Sequence, residues 1–197
     1  MRFRTLGLFF IAFCFIASTS LAGEKYQIDP THSHIGFTVR HMLITKVSGK
    51  FKEFSGTIDY DEKDITKSSV LVTIKTASID TESERRDNHL RSADFFDAEN
   101  FPEITFASKK IEKRGDGYVA VGDLTMRGVT KEIALPFTIL GSVKDQRSGT
   151  RIGIEASAAL NRFDFGVKWD RKLDNGGLVV SEQVELILAV GATTAQQ

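Results

Sequence analysis

From residue 33 onward, apolar and polar side chains alternate along most of the chain. This period of two sends successive residues to opposite faces of a β-strand. In the first long run Ile35, Phe37, Val39 and His41 share one face, and His34, Gly36, Thr38 and Arg40 the other. A short strand over residues 25–29 precedes it and ends at Pro30. A second run starts at Val47, Gly49 and Phe51 and continues through Phe54, Gly56, Ile58 and Tyr60. Its parity slips by one between Phe51 and Phe54, the mark of a bulge or sharp bend. Residues 69–79 make a third strand with Val70, Val72 and Ile74 on one face. Ile104 and Phe106 open a fourth, which the Arg114-Gly115-Asp116-Gly117 turn folds back onto residues 118–126. Arg127-Gly128 turns the chain again into residues 129–143, where Val129, Ile133, Leu135, Phe137, Ile139 and Val143 share a face. Arg147-Ser148-Gly149 leads to Ile152, Ile154, Ala156, Ala158 and Leu160. A loop over residues 161–177 precedes a last strand carrying Val184, Leu186, Leu188 and Val190 on one side.

One stretch breaks the rhythm. Residues 81–102 open with Thr81-Glu82-Ser83-Glu84, a capping-box pattern, and continue with good helix formers to Arg91. Phe95 and Phe96 follow as an adjacent pair, and Pro102 holds Phe101 extended for the return to strand. The chain therefore reads as all-β: an eight-stranded antiparallel up-and-down barrel with a short helix inserted between the third and fourth strands. About eight strands leave an interior that side chains can fill or one small ligand can occupy. Pro136 cannot donate to a ladder, so a local bulge or incomplete closure is expected beside it.

Composition adjusts this picture at the N-terminus. Arg2 and Arg4, an apolar run of residues 6–17 and the small residues around Ala22 give the three parts of a cleavable secretory signal over residues 1–22. The apolar run is too short for a stable membrane span, so no membrane insertion is expected after cleavage. The barrel domain is then residues 23–197. Cys14, the only cysteine, leaves with the signal, so disulfides cannot stabilise the secreted domain. The 26 basic and 26 acidic side chains balance, and losing Arg2 and Arg4 leaves a slight acidic excess. That excludes a nucleic-acid footprint or a polybasic membrane anchor. Of 15 phenylalanines, all but Phe3, Phe9, Phe10, Phe13 and Phe15 lie in the domain, where rings without a polar handle need a dry core or an apolar pocket.

Several segments, taken in order, resemble the YceI-like family of secreted bacterial proteins. They are Ile28-Asp29-Pro30-Thr31-His32-Ser33, Gly36-Phe37-Thr38-Val39-Arg40-His41 and Val47-Ser48-Gly49-Lys50-Phe51. Arg86-Asp87-Asn88-His89-Leu90, Asp94-Phe95-Phe96-Asp97, Phe101-Pro102, Gly122-Asp123-Leu124-Thr125, Arg127-Gly128-Val129-Thr130 and Asn161-Arg162-Phe163-Asp164-Phe165-Gly166 extend the match. The resemblance implies a lipocalin-like barrel, a periplasmic location, and a lumen for a long isoprenoid or similar lipid. It implies no catalytic activity.

Parity then assigns the lipid tail to Phe37, Val39, Phe51, Val72, Phe106, Leu135 and Phe137. Leu90, Phe95 and Phe96 of the helical insertion are expected to point inward. His41 shares the face of Phe37 and Val39, either orienting a polar head or satisfied as a buried histidine. Arg86 and His89 either contact the head or, with Asp87, form a local network that pins the helix to the rim. His32 and His34 at i and i+2 have half of a zinc pattern but lack ligands to complete it. Asp29, His32 and Ser33 supply triad residue types without a nucleophile elbow. The reading is therefore a non-enzymatic carrier with no cofactor beyond a bound lipid, such as a polyprenyl compound or isoprenoid quinone. The sequence admits a homodimer. Two rivals stand beside it: an enzyme acting on a lipid-borne substrate, and a stress-responsive interaction protein with a filled barrel.

Overall fold

The computed structural model describes residues 23–145 and 149–194. The expected signal over residues 1–22, and residues 147 and 148 of the expected turn, lie outside the described residues. The strands are β1 (Glu24–Ile28), β2 (His34–His41), β3 (Thr45–Phe51), β4 (Phe54–Tyr60), β5 (Ser69–Lys75), β6 (Ile79–Asp80), β7 (Glu103–Arg114), β8 (Gly117–Met126), β9 (Val129–Asp145), β10 (Gly149–Asn161) and β11 (Val180–Thr194). Helix α1 (Glu84–Arg91) sits between β6 and β7. Every pairing is antiparallel, and β1 closes the sheet onto β11.

These segments amount to eight long strands, three of them broken. β1 and β2 both pair with β11, β4 and β3 pair with them in turn, and β5 and β6 follow. The expected second strand is thus two, parted at Lys52 and Glu53. The third, expected to run unbroken over residues 69–79, stops at Lys75 for a 3-10 turn over Thr76–Ser78. Side chains cause these breaks by taking over backbone partners. The Ser78 hydroxyl accepts from the Glu53 N–H at 3.0 Å, and Thr76 donates to the Phe101 carbonyl at 2.8 Å. Between β1 and β2 the Ser33 hydroxyl donates to the Gly191 carbonyl at 3.1 Å and accepts its N–H at 3.0 Å. Glycine suits position 191, because a Cβ there would lie 3.0 Å from the His32 carbonyl oxygen.

The breaks divide the barrel into two tiers. In the lower tier β5 meets β7 and the wall closes. In the upper tier β6 has no strand on its far side, and residues 81–102 take that place in the wall. A second departure follows Pro136, as its missing donor led one to expect: the β9–β10 ladder ends at the Phe137–Ala156 pair. The 3-10 turn Arg162–Phe165 packs near that seam, with Asp164 3.0 Å from Lys131 on β9.

Val143 does not share the inner face with Ile133, Leu135, Phe137 and Ile139. The β9–β10 register shifts by one at Leu140, and Gly141 adopts φ 144°, so Val143 turns outward and is 69% exposed. The lower core packs Ile28, Ile58, Ile104, Ile111, Leu124 and Ile152, with Tyr26 only 2% exposed. Burial, helped by Glu24, pushes the Tyr26 phenol from its ordinary 10.0 up to about 12. The folded state holds this proton more tightly than the unfolded chain does. Its contribution is therefore complete below pH 10 and is lost as pH rises through about 12. Denaturant titrations across that window should show stability falling by about 1.4 kcal/mol per pH unit from this group alone. Tyr26→Phe should flatten that limb. An unchanged slope would mean that the phenol ionises freely in the folded barrel.

Candidate functional site

The lumen holds two chambers, one per tier. The lower, about 170 Å³, has an apolar wall that includes Val70, Val72, Ile74, Ile104, Phe106, Leu135, Phe137 and Leu188. The upper, about 250 Å³, is walled by Val39, His41, Val47, Leu90, Phe95, Phe96, Val167, Trp169 and Val184, with Thr81, Arg86 and His89. Phe37, Phe51, Met126, Leu160 and Leu186 border both, so the two chambers adjoin across these side chains. Each volume is far above the roughly 10–15 Å³ a single water needs. A hydrocarbon wall gives water no partners, so this space suits an apolar chain.

Helix α1 is fastened by an arrangement other than the expected capping box. Ser83 is the N-cap and makes no side-chain cap bond. Thr81 lies two residues outside the first turn, beyond Glu82 with φ 62°, and reaches Asp87 instead of Glu84. The Thr81 N–H and hydroxyl donate to Asp87 Oδ1 at 2.9 and 2.5 Å, and both residues are 5% exposed. Arg86 Nε donates to the Thr81 hydroxyl at 2.7 Å and its Nη2 to the Thr81 carbonyl at 2.6 Å. Arg91 donates to the Ala77 and Ile79 carbonyls at 2.7 and 2.9 Å, tying the helix to the broken third strand. Of the network expected of Arg86, Asp87 and His89, Arg86 and Asp87 meet at Thr81, His89 pairs with Asp94 instead, and the tie to the barrel wall is made by Arg91. Arg86 also borders the upper chamber.

Aromatic rings line this end. His89 stands edge-on to Phe95 at 5.0 Å and to Trp169 at 5.6 Å, and its Nε2 lies 2.9 Å from Asp94 Oδ2. Phe96 packs edge-on against Phe51 at 6.0 Å, and Phe51 against Phe37 at 6.0 Å. The thirteen residues assigned from sequence all border the lumen: Phe37 and Phe51 both chambers, Val72, Phe106, Leu135 and Phe137 the lower, and Val39, His41, Arg86, His89, Leu90, Phe95 and Phe96 the upper.

Periodicity missed the loop after β10. It supplies Phe165, Val167 and Trp169 to the upper wall and is held by Arg162, which is 6% exposed. Arg162 donates to the carbonyls of Ser181, Val167, Trp169 and Val180 at 2.7–3.1 Å. Desolvation holds its pKa below the ordinary arginine value. The lone tryptophan was the available signal, since a loop carrying Trp and two Phe must bury them somewhere.

The other polar cluster has a structural explanation. His32 Nδ1 lies 2.7 Å from Asp29 Oδ2, and this hydrogen bond holds the Asp29 carboxyl below its usual range. Ser33 is occupied by Gly191, and His34 faces outward. Among the described residues no group of three or more His, Cys, Asp or Glu is placed to hold a metal. Nor is any described helix long and apolar enough to cross a membrane.

A closed antiparallel barrel with a deep apolar lumen is the lipocalin-like architecture. Residues 26–192 match the YceI-like domain, and the chain belongs to that family. It is 42% identical to the UPF0312 protein plu2095 of Photorhabdus laumondii over 166 residues, 84% of this chain and 86% of that one. The crystal structure of Burkholderia cenocepacia BcnA superposes with a TM-score of 0.75 at 24% identity, covering 84% of this chain and 99% of BcnA. A polyisoprenoid binding domain from Saccharophagus degradans, implicated in plant cell wall breakdown, has the same fold: TM-score 0.60, 15% identity, 86% and 98% coverage.

Proposed function

We propose that this protein is a secreted, periplasmic carrier that holds one long isoprenoid or similar lipid in its lumen, with the tail in the lower chamber and the head near Arg86, His41 and His89. The observation that carries the reading is the pair of adjoining, mainly apolar chambers stacked through both tiers. Each methylene removed from water contributes about 0.8 kcal/mol, so a long chain is held tightly without polar contacts. An isoprenoid quinone or a polyprenyl compound meets these terms: a long tail, with a carbonyl or phosphate head for Arg86 and the imidazole N–H groups at the upper end. The hydrocarbon wall of the lower chamber shields a ligand's tail from water, which favours holding a lipid. The polyisoprenoid-binding domain of the same fold is in keeping with this reading.

Native mass spectrometry of the purified mature protein, followed by solvent extraction, tests it. The expected result is a lipid-sized mass increment that extraction removes. Ala156→Phe, which sets a ring into the lower chamber, should abolish uptake of added quinone or polyprenyl phosphate while the barrel stays folded. No bound lipid together with no uptake by the wild-type protein would sink the carrier reading.

A further inference from the structure

We propose that the turn between β2 and β3 docks this barrel onto an anionic lipid bilayer, so that the upper chamber loads and unloads at the membrane surface. The inference rests on the lumen being a lipid site and names where the lipid comes from. Met42, Leu43 and Ile44 are consecutive large apolar residues that are 49%, 51% and 83% exposed. Met42 and Leu43 have φ of 51° and 67°, and the Ile44 N–H donates to the His41 carbonyl at 3.3 Å. Positive φ at both central residues is type I′ geometry, which ordinarily calls for Asn-Gly. Left-handed backbone is strained for any residue with a Cβ. Here that strain holds two apolar side chains about half exposed to water. A partner outside the chain gives the arrangement a physical reason.

The location identifies the partner. The Met42 N–H donates to the Val179 carbonyl at 2.7 Å, and His41, Val179 and Val180 all wall the upper chamber. The turn is therefore part of the chamber's rim. Leu43 lies against the neighbouring loop, where a Cβ on Gly177 would come within 3.0 Å of its Cδ1. The turn with its flanks, residues 40–46, and the loop leading to Val179, residues 168–174, carry Arg40, Lys46, Lys168, Arg171 and Lys172 against Asp170 and Asp174. That basic bias stands out in a chain whose charges otherwise balance. Lys46 also meets Glu185 at 3.6 Å, but both side chains are more than half exposed, and such a pair is worth little. An apolar wedge flanked by basic segments suits a bilayer with anionic headgroups: the wedge enters the acyl boundary and the cations are drawn to the charged surface. A protein partner would not need the tip to stand at the mouth of a lipid chamber.

Co-sedimentation of the mature protein with vesicles tests the inference. Phosphatidylglycerol–phosphatidylethanolamine vesicles should bind at least about tenfold better than phosphatidylcholine vesicles, with binding falling as salt shortens the Debye length. A variant carrying Met42→Asn, Leu43→Gly and Ile44→Thr should lose about tenfold in vesicle binding. It should keep or raise its melting temperature, because Asn-Gly suits the turn, and its exchange of lipid with vesicles should slow. Equal sedimentation of the two proteins, or none by the wild type, overturns the docking inference whatever the lumen contains. Tip-dependent sedimentation of a protein that extracts empty supports docking and removes only the carrier reading.

Discussion

Asp87→Ala should lower stability by about 2–4 kcal/mol and speed the release of bound lipid. The carboxylate is buried and accepts both the N–H and the hydroxyl of Thr81 through one oxygen. Alanine leaves two buried donors without an acceptor, at about 1–3 kcal/mol each where water cannot reach them. Arg86 is held through Thr81, whose own position Asp87 fixes. These bonds join the start of the insertion to α1, and the insertion forms the upper-tier wall beside β6. Loss of Asp87 should therefore act locally. Amide exchange should rise most over residues 81–101, while the closed lower tier keeps its protection. Asp87→Asn retains an acceptor in the same place and should lose only about 1 kcal/mol. Chemical denaturation of the three proteins, beside their rates of lipid loss to vesicles, checks both halves. A drop below 1 kcal/mol for the alanine variant would mean that Arg91, bonded to Ala77 and Ile79, fastens the helix by itself.

Alternation was informative about the lumen because closure turns parity into an inside–outside rule. Once a sheet meets itself, one face of every strand is interior. Hence Phe37, Val72, Phe106, Leu135 and Phe137 could be assigned to the wall without knowing which strands were neighbours. The rule fails wherever the count shifts by one. Val143 was misplaced because a single extra residue, Leu140, sits opposite the Gly153–Ile154 step of β10, and a pairing partner cannot be read from one strand. Glycine at 141 was the local hint. The strand breaks at Lys52–Glu53 and Thr76–Ser78 depend on bonds from Ser78 and Thr76 to segments distant in sequence. The Thr81–Glu84 pattern matched a capping box in letters only, because Thr81 stood outside the helix and a buried acceptor, Asp87, competed for it. The loop over residues 161–177 has no period, so its place in the wall depends on the carbonyls Arg162 gathers.

That dependence makes Arg162→Ala the other substitution with a large expected effect, about 3 kcal/mol or more. The guanidinium is almost wholly buried, and its fork reaches four neutral carbonyls on both sides of the loop, with the Phe163 ring 4.4 Å beneath it. Removing it strands those carbonyls and opens a cavity among residues that form the upper wall. Arg162→Lys tests geometry apart from charge. A single ammonium has three donors and no planar fork, so it should recover less than half of the loss. Trp169 gives a direct readout, because it packs 5.3 Å from Phe95 and its carbonyl is one of the four acceptors. In the alanine variant its emission should shift to the red below the melting transition, while circular dichroism still reports the barrel. Lipid should be lost faster, since Val167 and Trp169 leave the chamber wall together. An unshifted emission with wild-type melting would show that burial of Phe165 and Trp169 holds the loop without the guanidinium. The two-chambered lumen would then owe its upper wall to apolar packing alone.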